Sequence, residues 1–329
     1  MRLFLIRHGE TVDNVAGLYA GSRDSELTNH GHLQATRLGK HFQSSSVEFT
    51  HIFSSPLKRA IKTAELIRDA QPTSIDIVQS SLIVEQDFGF YEGKPAFARP
   101  LKGNARSGKE AHRALHMNDP GFVDIEPKET MASRADAFLN KLIPAIPDKS
   151  NVIAVVSHGI MLSVLWRRYL LRLPPRTVIL HPEVLAAHGR VDLKRLGGWS
   201  NTGYLELEMS VIASSLPFSP ASSSVGTDGK MGVLETNNVQ LATVFESEDT
   251  ASELDAAGYQ EDQAMPTSTV DIQATLSNRS FTAWTTTICA INHKPHLNNL
   301  KRTRGGVGSS RHDETQMSIN SFFQKQSKG

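Results

Sequence analysis

Two histidines far apart in the chain share one local setting. Leu3-Phe4-Leu5-Ile6 runs into Arg7-His8-Gly9-Glu10-Thr11, and Val152-Ile153-Ala154-Val155-Val156 runs into Ser157-His158-Gly159. An apolar run that turns abruptly polar reads as a buried strand reaching its C-terminal edge, where ligands bind in open α/β sheets. Two such strands, each handing His-Gly to a following helix, bring two imidazoles over one site. Arg7 adjoins the first histidine, and Arg59 falls in the first turn of a helix in Ser55-Pro56-Leu57-Lys58-Arg59-Ala60. A phosphoryl group suits this set, because its anionic oxygens call for cations, N–H donors and helix N-termini. Both helices after the His-Gly pairs are expected to aim N–H groups at the same spot. A neutral imidazole can attack phosphorus, and a covalent intermediate splits one displacement into two easier steps. Departure of the leaving group needs a carboxylic acid nearby. The candidate is Glu85, in Leu82-Ile83-Val84-Glu85-Gln86-Asp87-Phe88-Gly89.

The elements that must hold these residues alternate. Apolar runs and helical periodicity predict strand 2–7, helix 28–43, strand 51–54, helix 56–69, strand 75–78, helix 130–145, strand 151–156 and helix 159–171. Pro56 suits a first helical turn. After Asn201-Thr202-Gly203, the stretch Tyr204-Leu205-Glu206-Leu207-Glu208 alternates with period two, as an edge or half-buried strand does. The fold class this implies is α/β, an open, mostly parallel sheet with helices on both faces, followed by a long disordered tail.

Composition changes near residue 213. Ser214-Ser215, Pro217, Pro220, Ser222-Ser223-Ser224 and the acidic Glu246-Ser247-Glu248-Asp249 bury too little apolar surface to offset chain entropy. The expected organisation is a domain over 1–212, a disordered linker over 213–312 and a short peptide over 313–329. Within the linker, Phe281, Trp284, Ile288 and Ile291 of segment 279–291 are the side chains that would dock on the domain.

With 35 Lys and Arg against 34 Asp and Glu, the net charge of +1 directs the chain to neither nucleic acid nor a membrane surface. One cysteine, Cys289, excludes a disulfide framework and a cysteine-cluster zinc site, and fits a reducing compartment. No metal or other cofactor is expected. No apolar run is long enough to span a bilayer. The first strand opens at residue 2 or 3, so no cleaved leader is expected, and the protein is read as soluble and intracellular. A cysteine phosphatase would need Arg six positions after its Cys, where this chain has Pro295. Neither an Asp-x-Asp nucleophile loop after an apolar strand nor a Walker A lysine loop is present.

These motifs together resemble the histidine phosphatase superfamily, the phosphoglycerate-mutase-like enzymes. The resemblance covers roughly residues 1–212 and rests on five elements in order. They are Arg7-His8-Gly9-Glu10-Thr11 with Asn14, Ser55-Pro56-Leu57-x-Arg59-Ala60-x-x-Thr63-Ala64, Glu85-x-x-x-Gly89-x-x-Glu92-Gly93, Ser157-His158-Gly159, and Asn201-Thr202. It implies that His8 accepts the phosphoryl group, that Arg7, Asn14, Arg59 and His158 bind the phosphate, and that Glu85 donates the proton. Asp87 is read as a turn residue, His30, His32 and His41 as solvent-facing, and His51 as packing. His181 and His188 fall in an insertion, 180–199, for which the sequence offers no chemical role.

Phosphatase and mutase share the phosphohistidine and differ in the acceptor. The family's mutases typically carry Trp just before the Asn of the first motif, where this chain has Asp13. The insert from Lys94 to Lys128, with Arg99, Lys102, Arg106, Lys109 and Arg113, does not reproduce their basic stretch. Lys128-Glu129-Thr130 matches the family's Gly-Glu-Ser only in part. A phosphatase acting on a phosphorylated substrate is therefore favoured. The alternatives are a cytosolic sugar-phosphate phosphatase or phosphoglycerate-mutase-type enzyme with an incidental tail, and a scaffold that binds phosphorylated ligands without turnover.

The end of the chain, Gln316-Met317-Ser318-Ile319-Asn320-Ser321-Phe322-Phe323, resembles the PIP box that docks on the eukaryotic sliding clamp, PCNA. On one helical turn Ile319, Phe322 and Phe323 form a hydrophobic plug beside Gln316, and aromatic anchors of this kind dominate peptide interfaces. The resemblance implies PCNA as a partner and a nuclear setting, with Lys301-Arg302-Thr303-Arg304 as a weak import signal. Nucleus, cytoplasm or both are the expected locations.

Overall fold

A single seven-stranded sheet positions the histidines in the computed structural model, which describes residues 1–95, 113–142, 150–211, 284–303 and 306–313. Its strands are β1 (Arg2–Arg7), β2 (His51–Ser54), β3 (Ile77–Gln79), β4 (Val152–Ser157), β5 (Val178–Leu180), β6 (Tyr204–Val211) and β7 (Trp284–His293). They lie in the order β3-β2-β4-β1-β6-β7-β5. Only β6 runs against its neighbours; the rest share one direction.

Helices α1 (Val12–Ala16), α2 (Asn29–Ser44), α3 (Lys58–Arg68), α4 (Lys128–Leu142), α5 (Gly159–Leu170) and α6 (Pro182–His188) accompany the sheet. Successive strand residues point to opposite faces, so the buried strands are apolar on both. On one face Phe4, Ile6, Ile52, Ala154 and Val156 pack against Leu38 and Phe42 of α2 and Ala60, Ala64 and Ile67 of α3. On the other, Leu3, Leu5, Ile153, Val155 and Leu207 meet Met131 and Phe138 of α4 and Leu162, Leu165 and Trp166 of α5. Burying each such side chain contributes roughly 1.5–3 kcal/mol.

Most predicted elements fall within two or three residues of the observed ones. Helix α3 starts at Lys58 rather than Pro56, because Leu57 keeps an extended backbone (φ −70°, ψ 137°) and serves as N-cap.

The domain boundary needs correction. β6 and β7 are antiparallel neighbours with Val211 opposite Trp284, so 212–283 joins the two strands of a hairpin rather than leading away from the domain. Residues 284–303 and 306–312, expected in a linker, and Asp313, expected to open the terminal peptide, belong to the described fold. Ile288 and Ile291 are buried and Trp284 is half-buried against the same core, while Phe281 lies outside the described residues. The reason is chemical: Trp284-Thr285-Thr286-Thr287-Ile288 is rich in threonine, which counts as polar in composition but is β-branched and suits a half-buried strand. Thr286 is fully buried, bonded to the Tyr169 hydroxyl at 2.9 Å. Beyond β7 the chain crosses α2 through short 3₁₀ turns at Pro295–Leu297 and Val307–Ser309.

Candidate active site

Parallel pairing sets the two histidines level. β1 and β4 run in register with Arg7 opposite Ser157, so His8 and His158 leave the sheet at the same height, ring centroids 5.1 Å apart. Both are buried. The His8 amide donates to the Ser157 carbonyl at 3.0 Å, which ties the two strand ends together.

The rings are held differently. His8 Nδ1 lies 2.7 Å from the Gly9 carbonyl oxygen, which can only accept. The proton is therefore on Nδ1, and Nε2 carries the lone pair. Arg59 Nε donates to His158 Nδ1 at 3.1 Å, so His158 carries its proton on Nε2, which donates to Ser55 Oγ at 2.9 Å. Burial, then the charges of Arg59 and Arg7, hold His8 well below the usual histidine range. For His158 burial again leads, followed by Arg59, His8, Arg7 and Arg134. Both imidazoles are neutral at pH 7.

Arg59 is almost wholly enclosed, and burial lowers it to about 10 against the opposing charges of Glu85, Asp24 and Glu92. It stays charged near neutrality. Its guanidinium donates to the carbonyls of Arg23 (2.8 Å), Ala20 (3.0 Å) and Gly21 (2.8 Å). Glu92 holds that loop from the other side by accepting from the Gly21 and Ser22 amides, each at 3.0 Å. Gly21 cannot be larger, since a Cβ there would fall 1.9 Å from the Gln86 carbonyl oxygen. Thr63 Oγ1 accepts from the Gly9 amide at 3.0 Å, which docks α3 onto the catalytic loop.

Arg7 donates to the Trp199 carbonyl. Trp199 in turn donates from its indole to Ser163 Oγ at 2.9 Å. The insertion 180–199 therefore ends as a wall of the site, a role the sequence reading missed. Asn14 completes a capping box with Thr11 and accepts from Asn201 Nδ2 at 3.2 Å, and the same nitrogen lies 3.2 Å from the His8 carbonyl oxygen.

Glu85 caps α5. Its Oε1 accepts from the amides of Gln86 (3.0 Å) and Met161 (3.0 Å), and its Oε2 from Ile160 (3.1 Å). The second helix N-terminus thus engages this carboxylate, a correction to the expectation that its amides face a phosphate. Arg134, also missed from sequence, donates to the carbonyls of Leu82 (3.0 Å) and Val84 (2.9 Å) and pairs with Glu126 at 2.7 Å. It fixes the Glu85 loop from behind. A cavity of about 390 Å³ opens before Glu85, with Asp87, Asp124, Glu126 and Arg134 in its walls.

The remaining readings divide. Asp87 is a turn residue, accepting from the Gly89 amide at 2.7 Å. His41 is not simply solvent-facing: it is half-buried, 3.0 Å from the Tyr204 hydroxyl. Arg113 pairs with Asp124 at 2.8 Å, whereas Arg99, Lys102, Arg106 and Lys109 lie outside the described residues. So do Gln316, Ile319, Phe322 and Phe323. Among the described residues no cluster of three or more metal-ligating side chains occurs, and no helix is long and apolar enough to cross a membrane.

Known proteins are similar to this chain. A Schizosaccharomyces pombe protein named "Probable phosphatase" is 35% identical over 174 residues, which are 51% of this chain and 56% of that one. A Proteus mirabilis protein named "Probable phosphoglycerate mutase" is 34% identical over 168 residues, 50% of this chain and 73% of that one. The chain thus spans little more than half of the first relative and about three quarters of the second. The solved structure of a mycobacterial glucosyl-3-phosphoglycerate phosphatase superposes with a TM-score of 0.44 at 21% identity, covering 63% of this chain and 89% of that one. Residues 3–195 match the sequence model of the histidine phosphatase superfamily (branch 1), and the chain belongs to that family.

Proposed function

We propose that this protein is a phosphatase that hydrolyses phosphomonoesters through a phosphohistidine at His8. The observation that carries the reading is the tautomer of His8: Nδ1–H on the Gly9 carbonyl leaves Nε2 as a neutral nucleophile beside Arg7, Arg59 and His158. Nε2 attacks phosphorus, an N–P bond forms, and the ester P–O bond breaks. Glu85 protonates the departing oxygen. Of its two oxygens, Oε2 accepts a single N–H and can carry the proton while Oε1 keeps its two amide contacts. Glu85 then takes a proton from the water that attacks the phosphohistidine, and phosphate leaves. Arg7, Arg59 and Asn14 receive the phosphoryl oxygens, and His158 joins them when its Nε2–H turns from Ser55 Oγ to the substrate.

Water, rather than a second phosphorylated molecule, is the acceptor in this reading. Asp13 replaces the tryptophan of the mutases and pairs with Arg23 at 3.2 Å, and the cavity before Glu85 is walled by carboxylates ill suited to a second phosphate. The relatives' names divide between phosphatase and mutase. Turnover of p-nitrophenyl phosphate, with an acid-labile phosphoenzyme trapped by rapid quench, tests the proposal. Phosphoglycerate mutation exceeding hydrolysis, or label that survives acid, would overturn it.

The C-terminal motif supports a nuclear, clamp-tethered version of this enzyme. Asp313 is the last described residue, three positions before Gln316, and its neighbour His312 is bonded to Leu27 and Asn29 beside α2. The motif would then present its partner close to the domain instead of at the end of a long linker. A peptide spanning 310–329 is expected to bind PCNA in the micromolar range, about 8 kcal/mol. Phe322→Ala and Phe323→Ala each cost about 2 kcal/mol or more if they are buried anchors. No binding at hundred-micromolar peptide, roughly the weakest useful affinity, favours the metabolic alternative.

A further inference from the structure

The chain beyond β7 returns to the catalytic loop and adds a charge to it. Arg37 Nη1 donates to the Asn298 carbonyl at 3.2 Å, Asn29 N to the Ser310 carbonyl at 2.9 Å, and His312 N to the Leu27 carbonyl at 2.9 Å. Arg311 pairs with Glu26. These contacts seat a strap across the N-terminus of α2. From it Arg302 reaches Glu10, two residues after His8, and forms an ion pair. Arg302 is itself braced by Ser309 Oγ at 2.8 Å. Gly308 allows the approach, since a Cβ there would fall 2.5 Å from Arg302 Cγ and 2.9 Å from the Thr303 carbonyl oxygen.

Glu10 is a buried carboxylate built into the loop. Its Oε1 accepts from Thr28 Oγ1 at 2.8 Å, its amide donates to Gln34 Oε1 at 3.0 Å, and its carbonyl accepts from Thr28 N at 2.9 Å. Without a cation on Oε2, a buried negative charge would stand two residues from the nitrogen that receives an anionic phosphoryl group. A buried charge stripped of its partner is strongly unfavourable, and the loop carrying it shifts to reach water.

We infer that Arg302, delivered by the strap over α2, is a positioning residue for phosphoryl transfer that neutralises Glu10 and fixes the His8 loop. It touches neither substrate nor His8 and acts through Glu10. The inference rests on the phosphohistidine reading, and the test separates the two by pairing a binding measurement with turnover.

The full chain is compared with R302Q, R302K and E10Q/R302Q. Calorimetric titration with inorganic phosphate and kinetics on p-nitrophenyl phosphate are the readouts. R302Q is expected to weaken phosphate binding and lower kcat/KM by about tenfold each. R302K, which keeps the charge, stays nearer the wild type. E10Q/R302Q recovers much of the loss, because the charge that needed a partner is gone. Both readouts are taken where circular dichroism shows R302Q fully folded, so that a loss of fold, which E10Q would also relieve, is kept apart from a loss of positioning. R302Q that binds phosphate and turns over like the wild type overturns the inference, as does a double variant no better than R302Q. If R302Q fails to fold, the contrast between the wild type and the other two variants decides. A wild type that binds phosphate without turnover sinks the catalytic reading, yet the binding contrast still judges Arg302. A wild type that does not bind phosphate overturns both.

Discussion

His8 and His158 have the same antecedents and opposite fates. Each follows a buried parallel strand, each precedes glycine, and each is enclosed and neutral. Yet among the described residues the His8 ring makes one hydrogen bond, to the Gly9 carbonyl, while both nitrogens of His158 are engaged, one accepting from Arg59 and one donating to Ser55. A repeated motif gives a repeated position. The hydrogen bonds around each copy, and not the motif, decide which ring is the nucleophile and which is a held donor.

The sharpest way to break that contrast is to remove each ring in turn. His8→Ala abolishes turnover and leaves no acid-labile phosphoenzyme, because His158, the other imidazole at the site, has both ring nitrogens engaged. His158→Ala slows both steps by about 10²–10³, the effect of losing one transition-state donor, and still forms the phosphoenzyme. Quenched-flow trapping distinguishes them; phosphoenzyme in His8→Ala, or none in His158→Ala, exchanges the roles.

Glu85→Gln sharpens the contrast from the leaving-group side. The amide cannot donate a proton to an alkoxide, so alkyl phosphates lose about 10²–10⁴ in rate, while nitrophenyl phosphate loses much less. Equal losses on the two substrates would make Glu85 only the cap of α5.

The smallest effect concerns pH. His8 stays neutral below the ordinary histidine value, so the acid limb of kcat/KM lies below pH 6.5 once the phosphate's own ionisation is accounted for. An acid limb centred at or above 6.5 would mean that the ring is not enclosed. Stability follows the same sense. His296 is lowered to about 3, chiefly by burial and then by His41, His293 and Arg37. The unfolded chain therefore binds the extra proton between pH 6.5 and 3, and its contribution is complete above 6.5 and declines as pH falls. His296→Gln should flatten the decline in Tm, the wild-type share being about 2 kcal/mol at pH 5.

The sequence made the catalytic edge legible because that edge is local. Arg7-His8-Gly9, Ser55 to Ala64 and Ser157-His158-Gly159 each combine a strand or helix signal with chemistry inside a dozen residues. What it concealed is held by distant partners. Arg134 faces the Glu85 loop from another helix, Trp199 closes an insertion with no motif of its own, and Arg302 meets Glu10 from 292 positions away in the chain. β7 was hidden for a different reason: its threonines lower the apolar count that marks a buried strand, and 212–283 separates it from the strand it pairs with. Its buried face, Thr286, Ile288 and Ala290 at spacing two, was the available signal.

β5 illustrates what that separation does in time. Its described pairing is with β7 alone, Val178 to Leu180 against Thr286 to Ile288, so residues made early wait on residues made about a hundred positions later. At roughly 5–20 residues per second, synthesis alone imposes a delay of several seconds. During it the apolar edge of β6, including Leu207, and the unpaired β5 stand open to any other extended chain. The pairing of β1, β2 and β4 with one another needs no such wait. The sheet is thus completed only once β7 has been made, and the interval before that is when the nascent chain is most exposed to misassociation.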